Sequence, residues 1–168
     1  VPEDAAAAPV EEAAEAVAGE IDEFNQSQLD AHNEHRANHG VPAVVWCADL
    51  AKQAQEWAEK MVADGDMKHS GADERPGQGE NLAMYGSSDP SDKTLTTTAF
   101  ATNAWYDEVK DYDFDSPGFK SGTGHFTQVV WKSCTKVGFG TAGNYVVGRY
   151  GPPGNMEDAY EENVLPKQ

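Results

Sequence analysis

The stretch Gly122-Thr-Gly-His-Phe-Thr-Gln-Val-Val-Trp131 is the starting point for interpreting this chain. It joins a glycine-rich turn, one histidine and a β-branched, aromatic run. Such an apolar run predicts a strand, Phe126–Trp131, whose side chains are buried on both faces. The turn would then present His125 at the edge of a sheet. We therefore interpret the stretch as part of a site and ask which residues the fold brings to His125.

Apolar periodicity predicts three helices. The first runs from Phe24 to a stop at Gly40, and the second, Cys47–Asp64, is ended by Gly65. The third, Thr94–Lys110, has a usable apolar face, although its threonine run weakens its start. We expect a long surface loop over residues 65–79.

Two further runs predict strands near the end of the chain, Lys136–Gly140 and Tyr145–Tyr150. Gly143-Asn144 between them is typical of a hairpin turn. Together with the strand predicted at Phe126–Trp131, these two strands would form a short sheet, with the three predicted helices around it. This pattern predicts an α+β layered domain.

The charge is concentrated at the start of the chain. Of 29 acids in 168 residues, eight fall within residues 1–23, where there is no base. We expect 1–23 to be a disordered, acidic Ala/Glu-rich tail and 24–168 to be a single domain. The net charge of −17 argues against nucleic acid as a partner.

Composition constrains the compartment only weakly. No run approaches the roughly 20 apolar residues that a membrane span needs. Because the sequence begins at Val1 without a methionine, neither a signal peptide nor a lipidation signal can be read. Cys47 and Cys134 could pair or could both be free thiols.

Three histidines, His32, His35 and His39, lie close together on the first predicted helix. His32 and His35, or His35 and His39, would share a helix face. No suitable further ligand lies nearby to complete a tetrahedral metal site. We interpret the cluster as a partly buried polar face.

Six motifs, in order, give the chain a resemblance to a known family. They are His32-Asn-Glu-His-Arg36, His69-Ser70, Gly79-Glu-Asn-Leu-Ala83, Trp105-Tyr-Asp-Glu108, Gly124-His-Phe-Thr-Gln-Val-Val-Trp131 and Tyr145-Val-Val-Gly-Arg-Tyr-Gly-Pro-Pro-Gly-Asn-Met156. The chain resembles the CAP superfamily of cysteine-rich secretory proteins, antigen 5 and plant pathogenesis-related proteins, which share the SCP domain. The low cysteine count and the ending Glu161-Glu-Asn-Val-Leu-Pro166 look most like the Golgi-associated plant pathogenesis-related subgroup.

The resemblance implies an α-β-α sandwich with a short central antiparallel sheet flanked by helices. It also implies a cleft lined by His69, Glu80, Glu108 and His125, whose spacing in the sequence matches no local metal motif. Two imidazoles suit a divalent metal such as Zn²⁺, which we expect to be bound weakly, with water completing its coordination. The carboxylates would be ligands, or acceptors that fix the tautomer of each histidine. Metal binding should weaken as the pH falls, because a metal-binding imidazole must be neutral.

Two positions depart from the family pattern. Cys134 stands where the first long motif expects a small polar residue, and Gly148 stands where the second expects a disulfide cysteine. The usual set of disulfides is therefore not expected. This weakens any inference of secretion from the family resemblance.

The resemblance leaves several functions open. We favour a non-catalytic domain that binds metal and a lipid or sterol, with a possible role in defence or host interaction. Tyr112, Phe114 and Phe119 would form a lipid-binding lip, or would simply cap the core. The alternative is a hydrolase that uses His69, Glu80 and Ser87, or one that uses a metal-activated water. Ser70 and Ser88 also lie nearby in the sequence. The sequence contains no nucleophile elbow of the form Gly-x-Ser-x-Gly.

We expect an extracellular, secreted protein, with a Golgi or cytosolic membrane-associated location as the alternative. A membrane surface is a possible partner. The expected state is a monomer or a weak homodimer.

Overall fold

The structure is a computed structural model that describes residues 20–168, so the predicted tail lies mostly outside the described residues. The helices are α1 Glu23–Asn38, α2 Ala48–Asp64, α3 Thr94–Thr97, α4 Phe100–Tyr106, α5 Gly124–Val129 and α6 Tyr160–Asn163, with short 3₁₀ turns at Ala72–Glu74 and Asp107–Asp111. The strands are β1 Val45–Trp46, β2 Gly79–Met84, β3 Lys136–Ala142 and β4 Tyr145–Gly151. The two long helices and the last two strands fall where the sequence predicts them.

The four strands form one sheet in the order β1-β3-β4-β2. β3 and β4 are an antiparallel hairpin, and β2 pairs antiparallel with β4. The predicted hairpin turn is confirmed, and Gly143 adopts the left-handed backbone (φ 57°) that such turns require. Only the two-residue β1 pairs in parallel, against β3. The sheet is thus short and mainly antiparallel.

Helix α2 covers one face of the sheet. Its buried stripe includes Ala54, Ala58 and Met61, and Gly65 ends it in the left-handed conformation. The helix backbone approaches β3 very closely, because an added Cβ at Gly138 would lie 2.1 Å from the backbone nitrogen of Ala51. A glycine is required where β3 crosses α2, because any side chain there would collide with the helix backbone.

The larger core lies on the other side of the sheet, between α1, α4 and α5. Phe126, Val129, Val130 and Trp131 are all at most 1% exposed there. Helices on both sides of the sheet make an α-β-α sandwich, as expected. Helix α1 begins at Glu23, and the Asp22 side chain accepts a hydrogen bond from the Asn25 amide, so the last acids of the predicted tail belong to the domain.

The strand predicted at Phe126–Trp131 is wrong, because most of this stretch forms helix α5. Residues distant in sequence stabilise both of its ends. Glu108 accepts the backbone N–H groups of His125 (2.9 Å) and Phe126 (3.1 Å). The buried guanidinium of Arg36 donates to the carbonyls of Val129 (3.0 Å) and Trp131 (2.9 Å). These contacts satisfy groups that every helix end leaves free, and they outweigh the β propensity of the run.

The predicted third helix, Thr94–Lys110, is broken into α3, α4 and a 3₁₀ turn. The hydroxyls of Thr96, Thr97 and Thr98 bond to backbone carbonyls one turn earlier. Thr98 then turns to an extended conformation, and its hydroxyl accepts the N–H of Phe100. Threonine hydroxyls compete in this way with regular helix bonding. The break matters for the site, because the 3₁₀ turn that follows α4 carries Glu108.

Candidate functional site: two histidine–carboxylate pairs

The first pair joins His69, in the loop after α2, to Glu80 at the start of β2. Oε1 of Glu80 accepts from His69 Nδ1 (2.8 Å) and from the Ser70 amide (3.0 Å). Oε2 accepts from the Ser70 hydroxyl and from Arg149 Nε, both at 2.8 Å. Every contact of this carboxylate is therefore with a hydrogen-bond donor.

Glu80 is held as an anion although its side chain is fully buried. Burial alone would raise the pKa of Glu80. The hydrogen bonds from His69 and Ser70, together with the positive charge of Arg149, outweigh burial and hold this pKa below its ordinary value. The Glu80–Arg149 ion pair is buried on both sides, so removing either partner would strand a charge.

The second pair joins His125, at the start of α5, to Glu108. Oε2 of Glu108 accepts from His125 Nδ1 at 2.7 Å, while its Oε1 accepts the two backbone N–H groups at the start of α5. One carboxylate thus orients the imidazole and caps the helix that carries it. The Trp105 ring lies nearly parallel to the imidazole, with the ring centroids 6.3 Å apart.

The two histidines are held in the same way. In each, Nδ1 donates to a carboxylate, so the neutral form of the ring carries its lone pair on Nε2. Over residues 20–168, no hydrogen bond involves either Nε2. The side chains are 56% exposed for His69 and 36% exposed for His125. Both therefore present an accessible Nε2, an atom through which a neutral histidine binds metals.

The structure does not gather all four predicted residues into one compact ligand set. No group of three or more His, Cys, Asp or Glu side chains within the described residues is close enough together to hold a metal ion. The two pairs are instead connected through β2. Glu80 holds His69, and the neighbouring Asn81 donates from Nδ2 to the backbone carbonyl of His125 (3.2 Å).

The histidine cluster on α1 is structural, as interpreted from the sequence. His32 donates from Nδ1 to the Gln28 carbonyl (2.9 Å), and its Nε2 accepts from the Tyr150 hydroxyl (2.8 Å). His39 is similarly bonded to the Leu165 carbonyl and to the Tyr106 hydroxyl. Both rings are 0% exposed and have no free nitrogen for a metal.

The structure does not bring the serines of the hydrolase hypothesis into a triad. Ser70 is 4% exposed, and its hydroxyl bonds to Glu80 and Arg149. Ser87 follows the far end of β2, where its hydroxyl accepts the Asp89 amide (3.2 Å). Ser87 lies three residues beyond Met84, the last residue of β2, and at about 3.3 Å per residue Met84 is itself about 13 Å along the strand from Glu80.

Of the three rings predicted to form a lipid-binding lip, only Phe119 is mainly exposed (66%), whereas Phe114 is partly buried. Tyr112 is 6% exposed, and Phe114 packs against it with the ring centroids 4.9 Å apart. Both also contact Phe126 in the core. Tyr112 and Phe114 therefore cap the core, which is the other interpretation that the sequence allowed.

Arg149 and Asn81 were not among the predicted site residues, although each holds part of a pair in place. A signal for Arg149 was present, because it lies within the apolar run Tyr145–Tyr150. A charge buried in a strand needs an opposite charge beside it.

The cysteines are not joined; both Cys47 and Cys134 are free. No helix in the described part of the chain is long and apolar enough to cross a membrane.

An α-β-α sandwich that presents two carboxylate-held histidines defines a narrow class of domain. The model of the cysteine-rich secretory protein family, CAP, matches residues 29–150, and the chain belongs to this family. Human "Golgi-associated plant pathogenesis-related protein 1" is 43% identical over 151 residues, which cover 86% of this chain and 94% of that protein. The predicted resemblance to that subgroup is confirmed.

Two further relatives show the breadth of the family. "Secreted protein RBT4" of Candida albicans is 41% identical over 142 residues, and the match spans 80% of this chain but only 36% of that protein. A crystal structure of NaASP2 with Zn²⁺ is 27% identical with a TM-score of 0.67, covering 88% of this chain and 87% of that chain. Relatives thus include a secreted protein and a Golgi-associated one.

Proposed function

We propose that the protein binds a divalent cation, with zinc the best suited, through Nε2 of His69 and Nε2 of His125. One observation carries this proposal: each imidazole reaches solvent, is fixed by a carboxylate at Nδ1 and has an Nε2 that bonds to no other group among residues 20–168. Carboxylate–histidine pairing of this kind orients metal-binding histidines in many proteins. The zinc in the NaASP2 crystal structure supports the choice of metal.

The available ligands fit a weakly held metal ion and do not fit a structural metal site. Glu80 and Glu108 are each occupied by three or more donors, so we assign them to positioning the imidazoles. Two imidazoles leave the remaining positions to water, whereas structural zinc sites use four protein ligands. Bound zinc would supply a Lewis-acidic positive charge at the surface of an otherwise acidic protein.

Calorimetric titration of the metal-free protein with zinc chloride tests this proposal. His69→Ala/His125→Ala should abolish binding at this site, and Glu108→Gln should weaken it by about 10–100-fold, the usual cost of losing such a partner. His35→Ala is the matched control, because the Nε2 of His35 is already bonded to Asn103, its Nδ1 is buried and its ring stacks on Tyr106. Equal zinc affinity in the wild type and the double variant would refute the proposal.

We propose a second function, the binding of a lipid or sterol, on different evidence. Phe119 borders a surface groove of about 570 Å³ and is 66% exposed. This volume lies within the range of about 300–1,000 Å³ that is typical of small-molecule sites. An exposed aromatic ring beside such a groove provides the apolar contact that a lipid needs.

Binding of a radiolabelled sterol separates this function from a purely structural role for the loop. Phe119→Ala should weaken binding and leave stability unchanged, because the ring is mainly in solvent. Phe114→Ala should chiefly destabilise the fold, since Phe114 packs on Tyr112 and Phe126. Unchanged binding by Phe119→Ala would exclude this groove as the lipid site.

We favour a non-catalytic role, because no serine hydroxyl is hydrogen-bonded to either site histidine among residues 20–168. Hydrolysis with a metal-activated water is the alternative that the same two histidines would support.

For location, we propose the extracellular space, in line with the secreted relative. Fractionation of cells that express the full-length protein would distinguish this from the Golgi-associated alternative.

A further inference from the structure

A line of buried polar side chains runs from helix α1 to the backbone of His125. His32 on α1 is bonded through Nε2 to the hydroxyl of Tyr150 on β4 (2.8 Å). That hydroxyl is bonded to Nδ2 of Asn81 on β2 (3.3 Å), and the same Nδ2 is bonded to the His125 carbonyl (3.2 Å). The side chains of His32, Tyr150 and Asn81 belong to residues that are at most 2% exposed. We call these three side chains the buried link.

Each hydrogen bond in the buried link has a fixed direction. Burial lowers the pKa of His32 to about 3, and the neutral ring donates from Nδ1 to the Gln28 carbonyl, so Nε2 can only accept. The Tyr150 hydroxyl gives its one hydrogen to Nε2, and its oxygen therefore accepts from Asn81. The Asn81 amide then gives one hydrogen to Tyr150 and the other to His125. The opposite orientation of this amide would place its oxygen against the His125 carbonyl, so only one orientation is favourable.

Strand β2 contacts His125 in two ways. Asn81 bonds to its carbonyl, and the carbonyl of the next residue, Leu82, accepts from Nε1 of Trp105 (2.8 Å). The Trp105 ring lies nearly parallel to the His125 imidazole. The residue before Asn81 is Glu80, which holds the other histidine of the site. A shift of Asn81 would therefore change the distance between the two imidazoles.

We propose that Asn81 and Tyr150 are positioning residues that hold His125 at the distance a shared metal ion requires. Glu108 fixes the ring and the backbone N–H of His125, whereas Asn81 fixes its carbonyl. Tyr150 in turn fixes Asn81 and is itself anchored on the buried His32 of α1. This inference rests on the proposed binding of a divalent cation and adds residues that set its affinity.

Calorimetric titration with zinc chloride of the metal-free Tyr150→Phe variant, which lacks only the hydroxyl, tests the inference. Zinc should bind about three- to tenfold more weakly than to the wild type. This is less than the loss of a direct carboxylate partner causes, since Tyr150 acts on His125 only through Asn81. Tyr106→Phe is the matched control, because it deletes a tyrosine hydroxyl that is also bonded to Nε2 of a buried histidine, His39, at 2.8 Å. It should keep the zinc affinity of the wild type.

A double variant shows whether Tyr150 acts through Asn81. Asn81→Ala should weaken zinc binding at least as much as Tyr150→Phe does. The variant that carries both changes should bind zinc no more weakly than Asn81→Ala alone, because residues that act as one unit are not additive. Asn81→Ala keeps the bond between Tyr150 and His32, so it provides the test if Tyr150→Phe does not fold.

NMR spectra of the metal-free protein provide a second measurement that does not depend on zinc. The ring current of Trp105 shifts the ring-proton signals of His125, so these signals report the orientation of the imidazole. They should move in Tyr150→Phe and in Asn81→Ala, and they should stay in place in Tyr106→Phe.

The outcomes separate the positioning role from the cation site itself. If zinc bound Tyr150→Phe as tightly as Tyr106→Phe, or if the His125 ring signals moved in neither link variant, the positioning inference would be overturned. Loss of binding in His69→Ala/His125→Ala would in that case still support the cation site. If the wild type bound no zinc, the proposed function would fail and the inference would fail with it.

Discussion

Burial of His32 should make the stability of the protein strongly dependent on pH. The ring is 0% exposed, and burial lowers its pKa from 6.5 to about 3. The nearby charges of Arg36 and His35 act in the same direction, whereas the bond to the Gln28 carbonyl opposes them. Both ring nitrogens are matched to partners that suit the neutral form.

The sign follows from proton uptake. Between pH 6.5 and 3, His32 is protonated in the unfolded chain and neutral in the folded protein, so the unfolded state binds more protons and stability falls as the pH falls. A pH of 5 lies about 1.5 units below 6.5, the pKa of His32 in the unfolded chain. Each unit is worth about 1.4 kcal/mol of unfolding free energy. His32 alone should therefore remove about 2 kcal/mol of unfolding free energy between pH 7.5 and pH 5. His39, whose pKa burial also lowers, adds to this loss.

Urea unfolding of the metal-free protein, followed by tryptophan fluorescence at pH 7.5 and pH 5, measures the loss. His32→Gln should be less stable than wild type at pH 7.5 but should lose about 2 kcal/mol less on acidification. His35→Gln should keep most of the wild-type pH dependence, because the charge of His35 is the smallest of the effects on the pKa of His32. If His32→Gln does not fold, the ring signals of His32 in wild-type NMR spectra provide the test. A titration of those signals with a midpoint near 6.5 would refute the reasoning.

Three further predictions concern the scaffold. Gly138→Ala should destabilise the protein by about 3 kcal/mol or more in urea unfolding, because the new Cβ would meet the α2 backbone at 2.1 Å, whereas Gly86→Ala, in open space, should change stability by less than about 0.5 kcal/mol. Arg36→Met should cost at least about 3 kcal/mol and raise amide exchange throughout α5, because five buried or part-buried carbonyls lose the guanidinium that donates to them; an unchanged exchange rate in α5 would contradict this role. Cys134 should not react with a thiol reagent in the native protein, because burial raises its pKa to about 11; rapid labelling of Cys47→Ser before unfolding would show this to be wrong.

Helices and strands could be predicted where the signals for them lie within their own stretch of sequence. Helix α2 has an apolar stripe and a glycine stop, and the β3–β4 hairpin has a strand-like run on each side of Gly143-Asn144. Helix α5 was not predictable in this way, because its caps come from Glu108 and Arg36, at 17 and 93 residues' separation from the groups they bind. Local propensity favoured a strand there, and tertiary contacts decided otherwise.

The site was predictable only through the family motifs. Nothing in the local sequence around His69 or His125 shows that each lies beside a carboxylate, since Glu80 and Glu108 come from a strand edge and a 3₁₀ turn. The position of the rings also needed the structure. Phe119 and Phe114 are equivalent in the sequence, yet one lies in solvent and the other packs on the core.

The central claim is that one metal ion is held by the two Nε2 atoms, with the carboxylates as positioning groups. Anomalous diffraction at the zinc edge, from crystals grown with zinc, tests it most directly. The claim predicts a peak about 2.0–2.1 Å from Nε2 of both His69 and His125, with Glu80 and Glu108 still bonded to the Nδ1 atoms. A peak on only one histidine, or one coordinated by either carboxylate, would contradict it.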